Sequence, residues 1–130
     1  MKGSTQFILG ALLTLLVLAF AAPLAQAQDI VKVAPQNCKV VLENERVRVI
    51  EVVAKPGEKI PMHSHPAHLL YALSAGKMAT AFTDGKSATA EIKIGDVRWL
   101  DPVTHANENT GTTEIRALVV ELKEPVKEQK

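Results

Sequence analysis

The residues best able to do chemistry lie in Gly57-Glu58-Lys59-Ile60-Pro61-Met62-His63-Ser64-His65-Pro66-Ala67-His68, where three of the chain's four histidines fall within six positions. Side chains on an extended strand alternate between faces, so His63 and His65 point the same way, one pleat apart. Two neutral imidazoles on one face are the start of a transition-metal site. The fourth histidine, His105, follows about forty residues later in a second short segment, which only folding can bring beside the first pair. A lone histidine is ordinarily a polar or hydrogen-bonded core group. A His-x-His pair with a third, turn-flanked histidine points instead to ligation.

The elements that must position these histidines are short. Residues 28–38 form a polar lead-in arm with at most a short strand at 30–33. Strands are then expected at 39–43, 46–54, 59–65, 68–74, 77–83, 88–94, 97–100, 104–109 and 113–122, separated by turn signals. The 46–54 strand splits into Val47, Val49, Glu51 and Val53 on one face and Arg46, Arg48, Ile50 and Val52 on the other. Arg48 and Glu51 look like ordinary members of a surface strand. Pro66 lacks an N–H and interrupts pairing after His65. Asp84-Gly85 reads as a two-residue hairpin of type I′. With no helical period beyond residue 27, nine short strands at regular spacing imply an all-β sandwich or barrel over residues 39–122, followed by a charged tail at 123–130.

Residues 1–27 read as an export signal: Lys2, an apolar run from Phe7 to Ala22, and small residues at Ala25 and Ala27. The run is below the ~20 residues of a spanning helix. Cleavage after Ala27 leaves Gln28 first, a periplasmic or secreted location, and no stable membrane span. The net charge is +1 and becomes zero once Lys2 is lost, and no basic block occurs. The electrostatic footprint of nucleic-acid binding is missing. After residue 27 the aromatics are Tyr71, Phe82 and Trp99, too few for the stacking platforms of sugar or single-strand binders. Cys38 is the only cysteine, so it forms no internal disulfide. Because it precedes Val40-Val41-Leu42, it is expected to be buried.

Gly57, five residues, His63-Ser64-His65, then Gly76 resembles the first motif of the cupins. Gly95-Asp96-Val97, the Pro102 corner, His105 and Asn109 resemble the second. The likeness spans roughly residues 39–122, nearly all of the chain beyond the export segment. It implies a double-stranded β-helix, a jelly-roll barrel with a metal in its mouth. Carried over by position, His63, His65 and His105 are metal ligands, and Asn109 shapes a strand end. Two departures stand out. The Pro102 corner is one residue short, and the position of the usual glutamate ligand is Leu69. His68, next to it, faces away if the strand is unbroken and toward the metal if a bulge at Pro66 resets the alternation. Tyr71, two residues beyond Leu69, is either core or an accessory hydroxyl near the metal.

Three imidazoles suit a divalent transition metal such as iron, manganese, nickel, copper or zinc, and leave open coordination positions. Retention should weaken as protons compete near pH ~6.5. The resemblance to quercetinase-like small cupins implies an oxygenase-type enzyme whose small organic substrate chelates the metal. The alternative is a module that binds metal or a small ligand without turnover. A homodimer is expected, because a small sheet with exposed edge strands gains by burying one against a twin.

Overall fold

The computed structural model describes residues 28–124; the expected export segment and most of the charged tail lie outside the described residues. Apolar–polar alternation produces ten strands and one helical turn: β1 (Gln28–Asp29), α1 (Ile30–Val33), β2 (Cys38–Glu43), β3 (Val47–Ala54), β4 (Lys59–His65), β5 (His68–Ala72), β6 (Gly76–Phe82), β7 (Ser87–Ile92), β8 (Val97–Leu100), β9 (Val103–Asn109) and β10 (Ile115–Leu122). They form two five-stranded sheets, β1-β4-β9-β6-β7 and β2-β3-β10-β5-β8. Neighbours pair antiparallel except β1 with β4. Among the described residues no helix is long and apolar enough to cross a membrane.

The core lies between the sheets. On β3 the buried residues are Ile50, Val52 and Ala54, and on β10 they are Ile115, Ala117, Val119 and Glu121. This is the alternation expected of a strand with one covered face. Gly76, at the start of β6, allows a close approach: a Cβ there would stand 2.5 Å from Cγ1 of Ile115.

Three local expectations change. Residues 30–33 form a helical turn, not a strand, because the Asp29 carboxylate accepts the Val31 N–H at 3.0 Å and caps it. Pairing of Phe82 with Lys86 leaves a three-residue loop, Thr83-Asp84-Gly85, and only Gly85 has positive φ, at 82°. That is a type I turn closed by a left-handed glycine, whereas type I′ needs positive φ at both central residues. The Asp84 carboxylate instead accepts the Lys86 N–H. Finally, β2 is an edge strand whose Val40, Val41 and Leu42 are exposed. Cys38 is half-buried, and its desolvation pushes the thiol up to about 11.

Candidate metal centre

Two breaks in strand alternation build the centre. On β4, Ile60, His63 and His65 are all buried. Ile60 and His63 are an odd number apart, so an uninterrupted strand would put them on opposite faces. The β4–β9 register shifts between them, at Pro61 and Met62; this bulge turns both inward. The second break is Pro66-Ala67, where the chain leaves the first sheet for the second. Across that corner His65 and His68 both face the interior, and His68 is 2% exposed.

His63 lies directly opposite His105 in the β4–β9 ladder. The ring centroids of His63 are 4.8 Å from those of both His65 and His105, and His65 and His105 are 5.6 Å apart. One nitrogen from each of the three falls within 4.8 Å of the others. His68 stacks on His65 at 4.6 Å but stands outside that ligand group.

Hydrogen bonds set the tautomers. Nδ1 of His63 donates to the Pro61 carbonyl at 2.7 Å, and Nδ1 of His68 donates to the Pro66 carbonyl at 2.8 Å. A carbonyl only accepts, so in each ring Nε2 keeps its lone pair. Nδ1 of His65 meets Oε1 of Glu121 at 2.7 Å, the carboxylate–histidine arrangement that orients metal ligands. Nε2 of His63 and Nδ1 of His105 are buried with no hydrogen-bond partner. Burial lowers the pKa of His63 and His68 and takes His105 to about 3, with further lowering from the neighbouring histidines. Neutral, lone-pair-bearing, buried nitrogens in a cluster are what a divalent metal requires, so the donor set fits one.

Behind His65 runs a chain of charge. Arg48 donates from Nε to Glu121 at 2.8 Å and reaches both carboxylate oxygens of Asp29, at 2.6 and 2.9 Å. Burial works to raise Glu121, but the bonds from His65 and Arg48 outweigh it and hold the carboxyl below its usual range. The Arg48 bond likewise lowers Asp29. The surface role expected for Arg48 is therefore wrong: it faces inward with Ile50 and Val52 and links the first residues of the described chain to a candidate ligand. Arg48 and Glu121 were absent from the candidate residues read from sequence. Their signal was parity, since Glu121 continues the Ile115, Ala117, Val119 face and Arg48 the Ile50, Val52 face.

Leu69 and Tyr71 do not face the site. They pair with Val120 and Leu118 of β10, whose neighbours Val119 and Glu121 are the buried ones. Tyr71 is 40% exposed. The inward residues of β5 are His68, Leu70 and Ala72, so at the usual glutamate position the chain turns Leu69 outward. Trp99 is also on the outer side, donating to Asp101. Asn109, by contrast, behaves as a strand-end residue: its Nδ2 donates to the carbonyls of Ala54 and Thr113, both at 2.8 Å, and its Oδ1 accepts the Gly111 N–H.

The histidines open onto a cavity of about 280 Å³ lined mainly by apolar side chains, among them Leu70, Met78, Phe82 and Leu100. Thr80 and Asn107 also line it and bond to each other at 3.0 Å. No Asp or Glu is among the lining residues.

No protein-family model matches the chain, and no curated protein matches it. Solved structures do. A cupin-domain protein from Bordetella pertussis is 26% identical over 67% of this chain and 92% of its own, with a TM-score of 0.63. A double-stranded β-helix protein from Klebsiella pneumoniae is 26% identical over 67% and 83%, with a TM-score of 0.53. An RmlC-like cupin from Methanocaldococcus jannaschii, 18% identical over 65% and 77% with a TM-score of 0.53, shares the fold. Two facing sheets, with a histidine cluster that could bind metal between them, agree with these neighbours, and the chain has the double-stranded β-helix fold of the small cupins.

Proposed function

We propose that this protein binds one divalent transition metal through His63, His65 and His105 and holds a small, largely apolar organic molecule against it, as an exported oxygenase-type enzyme. The observation that carries the reading is the pair of buried, partnerless nitrogens on His63 and His105. Leaving such groups unmade costs about 1–3 kcal/mol each, a cost that a ligand relieves. When bound, the metal would act as a Lewis acid on a donor atom of the organic molecule.

The chain's own residues supply the rest. Pro61 and Glu121 fix the rings of His63 and His65. The apolar lining formed by Leu70, Met78, Phe82 and Leu100 excludes water and selects an apolar body. His68 presents a neutral Nε2 lone pair that can take a proton from an acidic hydroxyl of the bound molecule. The absence of a lining carboxylate favours a second reading, a binding module without turnover. Export, to the periplasm or beyond, rests on the pattern of residues 1–27.

Metal analysis of protein taken from its native compartment, then oxygen uptake with enediols, thiols and diketones, tests both readings. Metal with uptake on one class supports the enzyme, and metal without uptake on any supports the module. Wild-type metal content in alanine variants of His63, His65 and His105 would reject the site. Mass spectrometry should find Gln28 at the N-terminus; an intact Met1 on membrane-bound protein would reject export with cleavage.

A further inference from the structure

The cavity beside the histidines reaches solvent on one side. Of its lining residues only Ala88 of β7 and Arg98 of β8 are exposed; the others are buried or half-buried. Both strands end their sheets, and Nη2 of Arg98 donates across the gap between them to the Glu91 carbonyl at 3.1 Å. At the opposite side Ile30 of α1, 2% exposed, closes the cavity against β2 and β4. The mouth therefore lies at the β7–β8 edge, with a guanidinium on its rim. Alternation puts it there: Val97 and Trp99 are exposed on the outer face, which turns Arg98 and Leu100 inward. Apart from the histidines, Arg98 is the only charged side chain in the lining among the described residues.

We propose that the cavity takes an organic monoanion, a small carboxylate with an apolar body, whose carboxylate is held by Arg98 at the mouth while its other end meets the histidine centre. The proposal rests on the reading that an organic molecule is held against that centre, and adds the charge and orientation of that molecule. Arg98 has donors to offer. Oδ2 of Asp96 stands 3.7 Å from Nη2, beyond hydrogen-bond reach, and accepts the Lys93 N–H at 2.9 Å instead. Nε and Nη1 have no protein partner among the described residues, and a guanidinium can give a carboxylate two parallel N–H bonds. Thr80 and Asn107, the neutral polar groups on the wall, bond to each other. No lining carboxylate repels an anion, and a cleft of one sign draws in its opposite. Register sets the depth: Leu100 pairs with His68 and Arg98 with Leu70, so Arg98 stands two residues, or ~6.8 Å, along β8 from the histidine level. A body at least that long, such as one aromatic ring, separates the two polar ends. An inward charge on an edge strand also discourages edge-to-edge pairing, but any charge serves that role and it predicts no selectivity between ligands.

Calorimetric titration with 4-hydroxybenzoate and its neutral counterpart 4-hydroxybenzamide reads the charge selectivity, on zinc-loaded and on metal-free protein at neutral pH. The acid should bind about 10–100-fold tighter than the amide in both forms, the range of a hydrogen-bonded charge. Arg98→Gln should bring the acid down to the amide while metal content stays unchanged. Ala88→Glu, at the exposed facing position, should do the same by pairing with the guanidinium, and guards against a variant at Arg98 that folds poorly. Equal affinities for the two probes on wild-type protein would overturn the proposal, and so would binding of neither. A preference for the acid that survives both substitutions would also overturn it, assigning the selection of charge to the histidine centre. Failure of the metal reading is seen separately: a preference present in metal-free protein and removed by Arg98→Gln upholds the anion site even where metal analysis finds no metal.

Discussion

The two ends of β9 each bury a polar cluster, and they are built on opposite rules. At one end Asn109 is fully buried and uses its amide completely, holding the Ala54 and Thr113 carbonyls and the Gly111 N–H. Toward the other end His63 is just as fully buried and its cross-strand neighbour His105 nearly so, yet each leaves a ring nitrogen without a partner. Burial alone does not separate architecture from function here. Saturation does: a satisfied polar group ties segments together, and an unsatisfied one is open to a ligand.

The largest expected effect separates the two ends outright. Replacing His63, His65 or His105 with alanine should abolish metal retention, and metal content of the purified variants checks it. His105→Leu sharpens the contrast, because it removes an unsatisfied nitrogen while keeping bulk; the metal-free protein should lose little stability. Asn109→Leu should instead cost about 2–4 kcal/mol with or without metal, since it strands two carbonyls and an N–H. If His105→Leu destabilised the metal-free chain as much as Asn109→Leu, the histidine end would be structural and the distinction would collapse.

Next in size is the support behind His65. Glu121→Gln should leave the fold intact and weaken metal binding about 10–100-fold, the usual effect of losing a ligand's supporting carboxylate. Titration with a competing chelator measures it; unchanged affinity would show that Glu121 serves only Arg48. In the same assay Leu69→Glu should have no effect, because Leu69 faces outward, whereas His68→Glu puts a carboxylate inside and should tighten binding.

The pH response is smaller and has a definite sign. In the folded chain burial lowers His63 and His68, and takes His105 to about 3; in the unfolded chain they sit near ~6.5. The unfolded state therefore takes up protons first as pH falls. The stability of metal-free protein is fully present above ~6.5 and declines as pH drops from there toward 3. The same lowering carries metal retention below the pH ~6.5 expected of free imidazoles. Unfolding midpoints between neutral pH and pH ~4 test this, with His105→Leu flattening part of the slope; a flat wild-type profile would contradict the burial of the histidine end.

The smallest effect lies far from both ends. Gly85 has φ of 82° with open space around its missing Cβ. Gly85→Val should thus cost only about 1 kcal/mol of backbone strain. A denaturation midpoint that did not move would argue against the left-handed turn, and metal content should stay unchanged.

The sequence by itself determined most of the strands and the shared face of His63 and His65; the strand-end role of Asn109 came only with the resemblance to the cupin motif. Period-two alternation and turn residues are local signals that hold within one uninterrupted strand. Tertiary structure decided the rest, at places where that alternation loses its phase. The bulge at Pro61 and Met62 and the sheet-to-sheet corner at Pro66 reset which side chains face inward, so Ile60 and His68 turn in while Leu69 and Tyr71 turn out. Capping by Asp29 turned an apolar stretch that reads as strand into a helical turn. Glu121 reaches His65 across 56 positions of sequence and Arg48 across 73. No local period carries information over such a distance, because only the pairing of β10 with β3 and β5 brings those side chains together.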